Sequence, residues 1–234
     1  MFTKTAAFYD KIYSFKDYAK ESAILHTLIQ EYKRAPGSRL LDAACGTGQH
    51  LAHLREHYTV EGFDLDADLL NAARERLPDV PLRHADMIDF DFGRTYDVIT
   101  CLFSAIGYVI TDEALKRTIA NMAQHLHTGG VLLVEPWLYP EHFNAPSIHG
   151  LYIDEPNLKI VRLSHSTIEN GVSYLNFEYL IGTPDGITHE KERHGLGLFK
   201  RDQYQAAFEA AGLITAYHMV GLDGRGMWIG VKPA

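Results

Sequence analysis

Apolar and polar positions change rhythm along this chain. Between Ser38 and Glu135, short apolar runs alternate with stretches in which apolar residues return every three or four positions. The runs are RLLDAA (39–44), TVEGFD (59–64), PLRHAD (81–86), YDVITCLF (96–103) and GGVLLVEP (129–136). The stretches between them include QHLAHLREHY (49–58), ADLLNAARERL (67–77) and TDEALKRTIANMAQHL (111–126). Buried strands read as continuous apolar runs and amphipathic helices as a period of about 3.6, so this order predicts βαβ units with right-handed crossovers. After Glu135 come KIVRLSHSTI (159–168), VSYLNFEYLIG (172–182) and ITHEKERHGLGLF (187–199), with turn signals at Asn170-Gly171 and Pro184-Asp185-Gly186. These predict an antiparallel patch. RDQYQAAFEAAGL (201–213) then reads as a helix closed by Gly212, followed by strands in LITAYHMVG and GMWIGVK. The expected fold is α/β: a Rossmann-like, doubly wound, mostly parallel seven-stranded sheet with helices on both faces. Residues 1–137 and 199–234 are expected to form the core and 138–198 an inserted antiparallel β patch.

Length and composition agree with one such domain, since 46% of the 234 residues are hydrophobic. No window approaches the ~18 unbroken apolar residues of a membrane span, and Met1 to Ser22 lacks the apolar core of an export signal. A cytoplasmic protein is expected, without membrane partners. The formal charge of −8 opposes nucleic acid as a partner, because Lys and Arg contacts to phosphate supply most of that affinity. Cys45 and Cys101 each end an apolar run and read as reduced, buried thiols. His50, His53 and His57 share a helix face, but no cysteine or acid joins them there, so no metal is expected.

The candidate chemistry begins at LLDAACGTGQHL (40–51), a strand that runs through an acid into a small-residue turn and a helix. In open parallel sheets, ligands bind at the carboxyl ends of the strands. A P-loop would need Lys and Ser or Thr after its last glycine, and Gly46 is followed by Thr-Gly-Gln. A dinucleotide fingerprint would need a third glycine, where Leu51 stands. Asp64 closes the second run at the spacing from which a carboxylate accepts both ribose hydroxyls, and Asp86 with Met87 closes the third, placed to receive an adenine amino group. Asp42, Gly46, Gly48, Asp64 and Asp86 thus mark one sheet edge suited to a nucleoside without a pyrophosphate.

The same segments resemble the class I S-adenosylmethionine-dependent methyltransferases. Nearly end to end, FYD (8–10), KDY (16–18), LLDAACGTGQHL, ADMIDF, FSAIGY (103–108), GGVLLVEPW, RLSHS (162–166), QYQAAFEAAGL and GRGMWIGV are similar to the N,N-dimethyltransferases that finish TDP-linked amino-deoxysugars of the desosamine and mycaminose type. The resemblance implies S-adenosylmethionine as cofactor, S-adenosylhomocysteine as its product, and no metal. It places Tyr9, Tyr18, Ala44, Asp64 with Leu65, Asp86, Met87 and Leu102 at the cofactor. It places Tyr108, Trp137, Arg162, Ser164 and Arg225 near the acceptor, under the insertion; His165, on an insert strand, could line the same pocket. The family carries an aromatic residue ahead of its FYD segment that helps enclose the sugar; here the chain starts at Met1, so that arm is expected to be short or absent. The turn from His142 to Pro156 departs from the family pattern.

The expected reaction is direct, in-line transfer of a methyl group to a small-molecule acceptor, most simply the amine of a nucleotide-linked amino sugar. Tyr108 is the candidate for orienting that amine or carrying its proton, against a role in packing alone. Arg225, in Gly224-Arg225-Gly226, could grip a diphosphate bidentately or serve as a surface arginine at a turn. Trp137 could stack on a base or sugar or belong to the core. FYDKIYSFKDY (8–18) reads as a segment folding over the cofactor or as a helix packing its aromatics inward. O- or N-methylation of another metabolite uses the same scaffold, and a non-catalytic cofactor-binding protein is the alternative of a different class. A homodimer is left open.

Overall fold

In the computed structural model, which describes residues 6–234, the chain forms two β-sheets. The first five residues, part of the stretch read for an export signal and for the arm ahead of Phe8, lie outside the described residues. Helices α1 (Tyr9–Ile12) and α2 (Tyr18–Tyr32) precede β1 (Arg39–Ala43), α3 (Gln49–Leu54), β2 (Thr59–Asp64), α4 (Ala67–Arg76), β3 (Leu82–His84), β4 (Tyr96–Cys101), α5 (Asp112–Gln124) and β5 (Leu126–Val134). There follow β6 (Ser147–Glu155), β7 (Leu158–Glu169), β8 (Val172–Thr183), β9 (Gly186–Gly197), α6 (Arg201–Ala210), β10 (Ile214–His218) and β11 (Met227–Val231).

The main sheet has the order β10-β11-β5-β4-β1-β2-β3. It is the seven-stranded, mostly parallel sheet that the apolar runs predict, with β11 antiparallel to both of its neighbours. Strand side chains alternate faces, and both faces of the central strands are covered. Leu40 and Val98 point into a cluster with Leu25, Ile29 and Leu51 from α2 and α3. Leu41 and Ile99 point the other way, onto Ile119 and Met122 of α5 and Phe208 of α6. Each such side chain, fully buried, contributes about 1.5–3 kcal/mol. The helices start where a side chain answers their first free N–H groups. Asp17 accepts from Lys20 N–H (2.9 Å), Asp66 from Asp68 (3.1 Å) and Leu69 (3.2 Å), and Thr111 from Ala114 (3.1 Å). At Gly62 the lack of a side chain lets α3 close on β2, because a Cβ there would stand 2.7 Å from Leu51.

The second sheet is a four-stranded antiparallel meander, β6-β7-β8-β9, lying in the chain between β5 and α6. Asn170 and Gly171, both with positive φ, make the turn between β7 and β8. Strand β6 and helix α2 are absent from the sequence reading, and β5 begins at Leu126 rather than at Gly129. The sheet inverts the usual polarity at its β6 and β7 edge. Ile148 and Leu163 face outward at 74% and 53% exposure, whereas Ser164 and Ser166, at 6% and 3%, face inward. That inner face is turned toward a cavity.

Candidate active site

A cavity of ≈ 740 Å³ separates the carboxyl edge of the main sheet from the inner face of the meander, and the N-terminal aromatics close a third side. Its floor is the glycine turn. Ala44 (φ 59°), Gly46 (φ 55°) and Gly48 (φ 75°) are all left-handed, which carries the backbone sharply from β1 into α3. Only open space lies within 4 Å of where a Cβ would stand on Gly46, so the cavity reaches the backbone there. The Gly46 N–H donates to Asp64 Oδ2 at 2.7 Å and the Asp66 N–H to Oδ1 at 2.8 Å, fixing the carboxylate at the end of β2. Burial raises the Asp64 pKa, and those backbone donors partly offset it. Asp86 is held likewise, its Oδ1 accepting from Ile88 N–H at 2.9 Å. Leu65, Met87 and Leu102 supply apolar wall between and beside the two acids.

Four residues expected at the ligands do not line this cavity. Asp42 lies beneath the turn, 2% exposed, accepting from the Thr100 hydroxyl at 2.7 Å; burial pushes its pKa up to about 7. It supports the floor from below. Gly48 is the N-cap of α3 and packs toward Ala73 of α4 and Leu77 just beyond it. Tyr18 opens α2 and sits edge-on to His50. His165 is exposed on the outer face of β7, because strand parity sends it opposite to Arg162, Ser164 and Ser166.

The N-terminal segment is tied across the turn. Thr47 donates to Asp10 at 2.7 Å, and Arg76 of α4 donates to Asp10 at 2.5 Å and to the Thr47 carbonyl oxygen. Burial alone would raise the Asp10 pKa, but these donors outweigh it and hold the carboxyl low. Behind them, Lys16 and His50 each stand 2.8 Å from Glu21, all three buried, which gives His50 a structural partner. Tyr9 and Tyr13 line the cavity and join Phe177 and Tyr179 of β8 in one apolar cluster, so the segment bridges the glycine turn and the meander.

The opposite wall is built on strain. Phe103 (φ 50°) and Ser104 (φ 60°), which follow β4, are consecutive left-handed residues. Glu135 Oε2 accepts from Phe103 N–H at 2.6 Å, and the Ser104 hydroxyl donates to the Pro136 carbonyl at 2.8 Å. Arg225 Nη1 donates to that hydroxyl at 2.8 Å and its other end pairs with Asp223 at 3.3 Å, which places the guanidinium on the cavity wall. Trp137 faces the cavity while its Nε1 donates to Ser173 at 2.9 Å. From β7, Arg162 and Ser164 reach in; Arg162 lies over the Phe177 ring at 4.9 Å, and its buried Nη1 has no hydrogen-bond partner. Tyr108 lines the same wall, its hydroxyl 2.9 Å from His194 Nδ1 of β9. Tyr13 belongs to the aromatic segment read as folding over the cofactor, whereas Phe103, Ser166, Phe177 and the Tyr108 partner His194 were missed in the sequence, where nothing local marks residues that meet only across the cavity.

Glu135 carries a measurable consequence. Burial pushes its pKa up to about 7, although Arg225 pulls it down. An unfolded glutamate titrates near about 4.3, so the folded chain holds this proton more tightly, and stability present below that pH is lost as pH rises to about 7. Glu135→Gln cannot ionise and still offers Phe103 an acceptor. It is expected to melt above the wild type at about pH 8, by roughly 1–3 kcal/mol, with the gap closing toward about pH 4. Thermal melts at the two pH values check it; an equal gap at both would count against the titration of Glu135.

Both cysteines are buried free thiols with raised pKa values. Among the described residues no group of His, Cys, Asp and Glu is arranged for a metal, and no helix is long and apolar enough to cross a membrane. The cavity therefore brings two carboxylates, two guanidiniums and a phenol into one lining, a set suited to a nucleoside and an anionic second ligand.

Comparison with known proteins identifies the family. Residues 40–130 match a methyltransferase domain family. The chain is 41% identical, over 94% of its length and 86% of the relative's, to the dTDP-3-amino-3,6-dideoxy-alpha-D-glucopyranose N,N-dimethyltransferase of Streptomyces fradiae. Among solved structures it superposes on Streptomyces venezuelae DesVI with a TM-score of 0.91 at 38% identity, covering 98% of both chains. It is also similar to the S-adenosylmethionine-bound amino pentose methyltransferase CalS10 of Micromonospora echinaspora, with a TM-score of 0.84 at 37% identity over 93% of this chain and 92% of that one.

Proposed function

The chain belongs to the S-adenosylmethionine-dependent sugar N,N-dimethyltransferases, and from that premise we propose that it methylates the amine of a nucleotide-linked amino sugar, twice in succession, in the cytoplasm. One observation carries the reading: a single cavity is lined by Asp64 and Asp86 and also by Arg162, Tyr108 and Arg225. The donor set fits the cofactor. Asp64 retains lone pairs for a ribose diol, Asp86 for an adenine amino group, and the backbone at Gly46 is open to the methionine portion. When bound, S-adenosylmethionine supplies a methyl group already activated by its positively charged sulfur. The protein's part is alignment, which in favourable cases supplies about 7–11 kcal/mol. Residues 138–198 are assigned as the acceptor-side insertion and 1–137 with 199–234 as the donor core.

Arg225 and the unpartnered Arg162 nitrogen offer charge-assisted hydrogen bonds to a diphosphate, fixing the sugar at a set distance from the donor. Tyr9, Tyr13 and Phe177 make the intervening wall apolar, which favours the neutral amine over its ammonium form. Incubation with labelled S-adenosylmethionine and a panel of TDP-amino sugars and simple amines, read by product mass, is expected to add one and then two methyl groups to a TDP-amino sugar. Transfer to simple amines or hydroxyls alone, or no transfer at all, would overturn the proposal.

A further inference from the structure

Behind the cavity wall, β9 carries two buried polar side chains. His194 and Glu192 are 2% and 8% exposed and stand two residues apart, so both turn inward from the same strand face. His194 Nδ1 is 2.9 Å from the Tyr108 hydroxyl, and its Nε2 is 3.4 Å from Glu192 Oε2. The Phe177 ring, 5.3 Å from the imidazole centre, packs against the histidine. We infer that Glu192 and His194 orient Tyr108 as an acceptor toward the substrate amine and receive, through it, the proton released by each methyl transfer. The inference rests on the methyl-transfer reading above.

The direction of the chain follows from what each group can give. As the carboxylate that the relay requires, Glu192 can only accept, which holds the imidazole proton on Nε2. The neutral ring then has a bare Nδ1, and the hydrogen of the Tyr108 hydroxyl must point at it. The free lone pair of the Tyr108 oxygen faces the cavity. The opposite tautomer would turn the Tyr108 hydrogen into the cavity, where it would compete for the lone pair the amine needs for attack.

The transfer balances as follows. The amine lone pair forms the new N–C bond, the methyl–sulfur bond breaks, and its electron pair stays on sulfur. The nitrogen, now cationic, gives an N–H proton to the Tyr108 oxygen as the Tyr108 hydrogen passes to His194 Nδ1. The imidazolium formed is paired with Glu192. Burial, with Tyr13, Asp64 and Glu192 nearby, raises the Tyr108 pKa far above that of a free phenol, so Tyr108 gives its proton to His194 only as it accepts one from the amine. When the cavity opens for exchange, the proton returns to water.

Nitrogen NMR of imidazole-labelled full-length protein without ligand, with the His194 signal assigned by its loss in His194→Gln, is expected to show the neutral Nε2–H form. Glu192→Gln and Tyr108→Phe are expected to lower kcat about tenfold, with acceptor KM within about twofold. His194→Ala is expected to lose activity similarly and to recover part of it in free imidazole, which a purely structural gap would not allow. A proton on Nδ1 in the wild type, or wild-type kcat in Tyr108→Phe and Glu192→Gln, would overturn the relay. Should the wild type methylate no acceptor, the functional reading fails, and the tautomer still decides the relay independently.

Discussion

Replacing Asp64 with asparagine is expected to weaken S-adenosylmethionine binding by about 10²–10³-fold, the largest single effect in this site. Both carboxylate oxygens already accept a backbone hydrogen bond, from Gly46 at 2.7 Å and from Asp66 at 2.8 Å, and the side chain is 8% exposed. An amide in the same place must aim its NH₂ at one of those two N–H groups, whichever way it is turned. The variant thus loses charge, loses an acceptor and sets a donor against a donor. Hydrogen bonds to a charged group contribute about 1.5–3 kcal/mol each, and two are expected to the ribose. Titration calorimetry with S-adenosylmethionine is the direct measurement; a Kd within about threefold of wild type would remove Asp64 from the donor site.

On the acceptor side, Arg162→Met is expected to raise the KM for the nucleotide sugar by about 10²-fold while the free protein becomes no less stable. The two effects separate because one guanidinium nitrogen, Nη1, is buried without a hydrogen-bond partner in the free protein. Removing Arg162 relieves that desolvated charge, which offsets the loss of its hydrogen bond to Tyr13, and methionine keeps an apolar stem over Phe177 and Tyr13. With substrate present, the same nitrogen is the one aimed at the anion. A variant that melted lower and left KM unchanged would identify Arg162 as a packing residue and would shift the anion site to Arg225.

The donor half of the molecule was readable from the sequence because its physics is local and repetitive. Buried parallel strands must be continuous apolar runs, their ends must carry turns, and Asp64 and Asp86 are the polar residues that interrupt such runs at the carboxyl edge. The acceptor half was harder because its walls break the usual pattern. In β6 and β7 the serines, His149 and Arg162 face inward and Ile148, Tyr152 and Leu163 face out, so the inward apolar residues of β6 are confined to its Leu151 and Ile153 end and the strand went unread. Parity was nevertheless available: once Arg162 and Ser164 are taken as inward, a strand sends His165 outward. Helix α2 does carry its buried Leu25, Leu28 and Ile29 at helical spacing, but Glu21 and Ser22 on the same face blur the stripe. The contact of Tyr108 with His194 spans 86 positions and rests on the packing of one sheet against the other. Asp42, although on the motif, is covered by the turn that it helps to shape.

The left-handed pair Phe103 and Ser104 bears on how this protein could change over generations. Non-glycine residues in that conformation cost about 1–3 kcal/mol each, and selection for stability alone would place glycine at both. A glycine at 104 has no hydroxyl to receive Arg225 and none to give to Pro136, so the cheapest improvement in folding is closed at the position that anchors the anion site. Heritable gains in robustness must then arise elsewhere in the chain.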